Sequence, residues 1–135
     1  MSTAPLRVLV ADDSPTTRDM LAAILVAENF AVTLASDGRE ALTALDTGPV
    51  DVLLLDMVMP VLDAVGVLAD LQARGRLDSL PVLVMTAGDA RDVRVLDPWE
   101  GRVRVLYKPF APEDLVRILR GIACGLAHSP AHETA

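Results

Sequence analysis

The sequence predicts an α/β domain: a doubly wound sheet of five parallel strands in the order 2-1-3-4-5, with helices on both faces. Three observations carry that reading. Short apolar runs alternate with stretches whose apolar residues recur at helical spacing. Three of the runs, Leu6–Val10, Val52–Leu55 and Val82–Met85, are apolar almost throughout, as strands buried on both faces are. Ala31–Ala35 and Arg102–Tyr107 alternate instead, as edge strands do. Apolar runs inside, alternating runs at the edges and right-handed crossovers together give the stated order.

Each element has its own local signals. The first run leads through Ala11 to Asp12-Asp13, and Ser14-Pro15 supplies an N-cap with proline at the first helical position. Met20, Leu21, Ile24 and Leu25 then recur at helical spacing, and Asn29 closes the helix. Asp37 to Glu40 reads as a capping box before a buried stripe of Ala41, Leu42 and Leu45. Gly48-Pro49 turns the chain into the central strand. A loop from Met57 to about Ala64 precedes a helix carrying Val65, Leu68 and Leu71, which Arg74-Gly75 breaks. Pro81 opens the fourth strand, where a missing N–H is tolerated. A short helix is expected from about Asp89 to Leu96, stopped by Asp97-Pro98, with Trp99 partly covering the lower edge of the sheet. Pro112 starts the last helix, with Leu115, Ile118, Leu119 and Ile122 inward. One domain over residues 1–127 and a flexible tail over 128–135 are expected.

Composition narrows the function classes. At 135 residues, with 52% hydrophobic and 23% charged, the chain can bury one sizeable core. With Phe30, Trp99, Tyr107 and Phe110 as its aromatic residues, that core is aliphatic. A net charge of −7 argues against a nucleic-acid or anionic-membrane surface. Cys124 has no partner cysteine and falls in a helical stretch, so packing is its expected role. The longest apolar stretch, Met20 to Ala27, is eight residues, short of the roughly 18 a membrane span needs. A cytoplasmic protein is expected.

Several runs end in chemically active groups. The first leads to Asp12 and Asp13, the third to Asp56, the fourth to Thr86 and the fifth to Lys108. In an open parallel sheet the C-terminal ends of the strands form the ligand crevice, so these groups converge. Alone, Asp12 could instead cap the first helix, while Thr86 is more often an ordinary strand-end hydroxyl and Lys108 a solvated surface lysine. Together, three carboxylates repel one another, and a hard divalent cation with oxygen ligands, Mg²⁺ or Mn²⁺, relieves them. A carboxylate in that position can attack phosphorus and form an aspartyl phosphate. Lys108 would neutralise charge on the transferring group, and Thr86 could hydrogen-bond a phosphoryl oxygen.

With Asp12-Asp13, Asp56 followed by Met59-Pro60, Thr86-Ala87 and Lys108-Pro109-Phe110 in this order, residues 6 to 124 resemble a response-regulator receiver domain of two-component signalling. This is a flavodoxin-like family. The resemblance implies that Asp56 is the phosphoacceptor and that Asp12, Asp13, Asp56 and the Val58 backbone carbonyl hold Mg²⁺, Asp12 through water. Thr86 and Lys108 would contact the phosphoryl group, and the Lys108–Pro109 peptide would be cis. A histidine kinase or histidine phosphotransfer protein would be the donor, and a stand-alone domain would signal by contact with a protein target, without nucleic acid or membrane. Dimerisation on phosphorylation stays open. Such a domain is no enzyme beyond its own phosphorylation and slow dephosphorylation.

Four positions depart from the family's pattern. Ala64 follows Asp63 where glycine is common, and Asp97-Pro98-Trp99-Glu100-Gly101 interrupts the fourth helix. Val105 replaces a frequent aromatic, so switching is expected through the Thr86 loop backbone. By the same resemblance the Val58 side chain would face the water that attacks the acyl phosphate, and valine offers that water no hydrogen bond. Three competing readings fit less well. A haloacid-dehalogenase-like phosphatase needs a second aspartate where Val58 stands. A degenerate, phosphorylation-independent scaffold would not need the complete acidic set. A flavin module would not carry an acidic loop after its first strand.

Overall fold

A computed structural model describes residues 4–88 and 92–126. Its sheet has the order expected, β2-β1-β3-β4-β5, with every neighbouring pair parallel. The strands are β1 (Arg7–Ala11), β2 (Ala31–Ala35), β3 (Val52–Asp56), β4 (Val82–Thr86) and β5 (Val103–Tyr107). Helices α1 (Pro15–Ala27), α2 (Gly38–Thr47), α3 (Ala64–Ala73) and α4 (Pro112–Leu126) connect or follow them. The tail expected at 128–135, with His128 and His132, lies outside the described residues, as do residues 89–91, where the short helix was to begin.

Strand side chains alternate between the two faces of the sheet, so each strand feeds two cores. Leu9, Ala11, Leu53, Leu55, Val82 and Val84 face α2 and α3. Val8, Val10, Val52, Leu54, Leu83 and Met85 face α1 and α4, meeting Leu21, Leu25, Leu115 and Leu119. The three inner strands are buried along nearly their whole length, whereas β2 and β5 are largely part-exposed. That contrast is the physical basis of the strand order.

Most helix ends follow their local sequence. Ser14 caps α1 by accepting from the Thr17 N–H, with Pro15 behind it. Asn29 ends α1 in the left-handed region at φ 71, where its amide and that of Phe30 donate to Val26 and Leu25. Gly75, at φ 73, closes α3 with the same pair of bonds.

Four local details differ from expectation. Cys124, expected to pack, is exposed on α4. The capping box at α2 is displaced: Asp37 accepts from the Glu40 N–H, but the Glu40 carboxylate turns to the backbone and hydroxyl of Ser36. In α3 the fully buried residues are Ala64, Val67, Leu68 and Leu71, while Val65 is only partly covered. The fourth helix does not stop at Pro98. A 3₁₀ helix runs from Asp92 to Trp99. In this geometry residues three apart eclipse one another, which lines up Val93, Leu96 and Trp99 against the core. Trp99 is buried, and its Nε1–H donates to Gln72 Oε1 at 2.9 Å.

Candidate functional site

Sheet hydrogen bonding continues past the strand ends. The N–H of Asp12 donates to the Ala35 carbonyl at 3.1 Å, that of Met57 to Met85 at 2.8 Å, and that of Lys108 to Thr86 at 2.7 Å. The chemically active residues are therefore held in sheet register rather than on free loops. Ala11 pairs with Leu55, which brings Asp12 and Asp56 level on adjacent strands.

Asp12, Asp13 and Asp56 each offer a carboxylate oxygen within 4.8 Å of the others. Asp12 and Asp56 are buried and Asp13 is exposed. Lys108 Nζ donates to Asp56 Oδ1 at 3.0 Å and stands 3.8 Å from Asp12 Oδ2. The Lys108–Pro109 peptide is cis. Thr86 is buried, and its Oγ1 accepts the Gly88 N–H at 2.9 Å, leaving the hydroxyl proton to be donated elsewhere. Asp56, Thr86 and Lys108 share a cleft of about 590 Å³ with Val58, Val65 and Val95. Val58 is 74% exposed and Val95 is 50% exposed, so both stand at the cleft's mouth.

The charge balance is uneven, with one ammonium facing three carboxylates. Burial pushes the Asp56 carboxyl above its ordinary range. The charges of Asp12 and Asp13 push the same way, and the Lys108 hydrogen bond and charge oppose them. Asp12 Oδ1 accepts the Ser14 N–H at 2.9 Å, but Oδ2 is buried with no hydrogen-bond partner. Leaving an anionic oxygen in that state is costly. The donor set is oxygen only, negative and partly orphaned. It suits a hard divalent cation such as Mg²⁺ or Mn²⁺.

All five side chains expected from the strand ends, Asp12, Asp13, Asp56, Thr86 and Lys108, thus meet in one place. Three neighbours escaped the sequence reading. Arg18 Nη1 donates to the Asp12 carbonyl at 2.7 Å, a side-chain-to-backbone contact with no sequence signature. Asp63 lines the cleft and caps α3 by accepting the Gly66 N–H at 3.0 Å. Its place immediately ahead of the apolar helical stripe that opens at Ala64 was a readable cap signal. Val95, from the 3₁₀ segment, also lines the cleft. A second groove of about 510 Å³ lies between α1 and α4. Its charged residues are exposed, and Glu28 is paired with Arg120 at 2.7 Å.

A parallel sheet in this order, with an acidic trio, a threonine and a lysine at its carboxyl edge, defines a signalling receiver. The chain belongs to the response regulator receiver domain family, whose match spans residues 8–120. It is 40% identical over 118 residues to the response regulator MprA of Mycolicibacterium vanbaalenii, covering 87% of this chain and 50% of that protein. The MprA of Mycobacterium tuberculosis is 40% identical over 117 residues, with the same coverage. The chain therefore spans about half the length of the curated relatives it matches. Among solved structures it resembles the chemotaxis response regulator CheY4 of Vibrio cholerae (TM-score 0.78, 28% identity, 87% of this chain and 98% of that one). It also resembles the receiver domain of the sensor histidine kinase PA1611 from Pseudomonas aeruginosa (TM-score 0.79, 29% identity, 89% and 99%), which has a magnesium ion in its active-site cleft. No described helix is long and apolar enough to cross a membrane.

Proposed function

We propose that this domain accepts a phosphoryl group on Asp56 from a phosphohistidine of a kinase or phosphotransfer protein and signals by protein contact. The observation that carries the reading is the orphaned, buried Asp12 Oδ2 beside an Asp56 carboxyl pushed upward by burial and by its acidic neighbours. Asp12, Asp13 and Asp56, with the Val58 carbonyl, would hold Mg²⁺. When bound, the ion would supply positive charge against the carboxylates and the phosphoryl oxygens.

The chain's own groups have separate tasks. The Asp56 carboxylate is the nucleophile: a P–O bond forms as the donor's P–N bond breaks, and the electron pair leaves with the imidazole. Lys108, already 3.0 Å from Asp56 Oδ1, is placed to follow the charge onto the phosphoryl oxygens. Thr86 has a proton to donate to the same group. The domain is a signalling switch rather than an enzyme acting on many substrates.

Intact-mass spectrometry after incubation with acetyl phosphate tests this. Wild-type protein with Mg²⁺ gains one adduct of about 80 Da, the mass of a phosphoryl group. Chelation or Asp56→Asn abolishes it. An unmodified wild type would favour a phosphorylation-independent scaffold. The stand-alone organisation, with one domain over 1–127, remains part of the proposal. An immunoblot of the native polypeptide near 14.4 kDa supports it, and a product near twice that mass contradicts it.

A further inference from the structure

The turn that carries the acidic pair has an anchor that receives no role in the reading above. Every polar atom of Asp12 except one is committed. Its N–H donates to Ala35, its Oδ1 accepts from the Ser14 N–H, and its carbonyl accepts from Arg18 Nη1 at 2.7 Å. Oδ2 alone makes no hydrogen bond: it is buried, with Lys108 Nζ 3.8 Å away. Arg18 is itself rooted, because its backbone N–H donates to the Ser14 carbonyl in the first turn of α1. The half-buried guanidinium thus ties the helix start back to the strand end across the Asp12–Asp13 turn.

We infer that Arg18 is a positioning residue for the cation site: by holding the Asp12 carbonyl it fixes the turn so that the Asp12 and Asp13 carboxylates face Asp56. The inference rests on the proposed Mg²⁺ site and deepens it. It also carries an unusual sign. A guanidinium beside a cation site is electrostatically unfavourable for the cation, so charge alone predicts that deleting it tightens binding. Positioning predicts the reverse. The Glu40 carboxylate, which is held low mainly by hydrogen bonds from Ser36, also feels the Arg18 charge and partly balances it. The two effects have opposite signs, so the sign of the change in affinity separates them. Groups that orient metal ligands from behind are typically worth about ten- to a hundredfold in affinity.

Mg²⁺ titrations of the full metal-free chain by calorimetry, with amide exchange at Ser14 as a structural readout, decide between the two. Arg18→Met should bind Mg²⁺ about tenfold more weakly, near the lower end of that range. In the same variant the Ser14 amide should exchange faster without metal. Arg18→Lys, which retains charge and a donor, should recover part of the affinity. Arg39→Met, which removes the same charge from the exposed start of α2, should stay near wild type. Equal or tighter binding in Arg18→Met overturns the inference whatever the amide does. If that variant does not fold, Arg18→Gln takes its place under the same criteria. A wild type that binds no Mg²⁺ overturns the proposed function as well. Wild-type binding with an unchanged Arg18→Met overturns only the positioning role.

Discussion

At Asp56 two opposing effects meet on one carboxyl. Desolvation and the acidic pair favour its neutral form, and the Lys108 ammonium favours its charged one. The net displacement is upward. A carboxyl raised in the folded state contributes its stability fully below its unfolded pKa, about 3.9, and loses it as pH rises through the higher folded value. Asp51 shifts the other way, held low chiefly by its hydrogen bond from Arg7, but it is common to wild type and variant and cancels. In chelator, the stability advantage of Asp56→Asn over wild type should therefore widen from about pH 4 to pH 7. Denaturant melts across that range check it, and a gap that narrows with pH would contradict the assignment. Val58 sets a second expectation. Its exposed isopropyl group stands at the cleft mouth and can orient no water. Val58→Asn should speed loss of the acyl phosphate roughly tenfold, modest beside the ~10²–10⁴ of a positioned general base. Decay timed by intact mass checks this, and an unchanged or slower rate counts against it.

Among the elements, the loop between β3 and α3 depends on two glycines elsewhere. The Gly38 N–H donates to the Leu62 carbonyl at 3.1 Å, and a Cβ at Gly38 would collide with that same backbone oxygen. A Cβ at Gly66 would meet the Leu62 side chain instead, which can rotate away. Gly38→Ala should cost about 1–3 kcal/mol, the usual range for overpacking, and Gly66→Ala clearly less. Chemical denaturation of both variants tests the ranking, and equal losses would mean that the loop yields as readily as a side chain. Neither requirement was legible in the sequence, because each depends on which backbone lies opposite. The strands were legible, since burial on two faces writes itself as an unbroken apolar run, as in Val52–Leu55. The fourth helix was legible only in part. Asp97-Pro98 was expected to stop the helix at Leu96 and does not, because the spacing of Val93, Leu96 and Trp99 by threes carries a 3₁₀ geometry that runs through Pro98. Arg18 was invisible for another reason: its partner is a carbonyl, which every residue possesses.

For the whole molecule, two aliphatic cores on either side of one sheet hold the strand ends rigid and let mutually repelling carboxylates be built there. The folded scaffold bears an electrostatic cost that the proposed cation would remove, which would link cation binding to folding. A ligand bound at a hundredfold excess over its Kd stabilises by about 2.7 kcal/mol. The acidic site could be anticipated because topology alone sends every parallel strand's carboxyl end to one edge. The Oδ2 left without a donor could not, since it depends on which hydrogen bonds Asp12 has already made. The most direct measurement is a pair of thermal melts, wild type and Asp56→Asn, each in chelator and in saturating Mg²⁺. In chelator Asp56→Asn should melt higher than wild type, and Mg²⁺ should raise wild type by clearly more than the variant. A wild type that is already the more stable in chelator, or equal Mg²⁺ shifts in both proteins, would contradict the claim that carboxylate crowding is what the metal relieves.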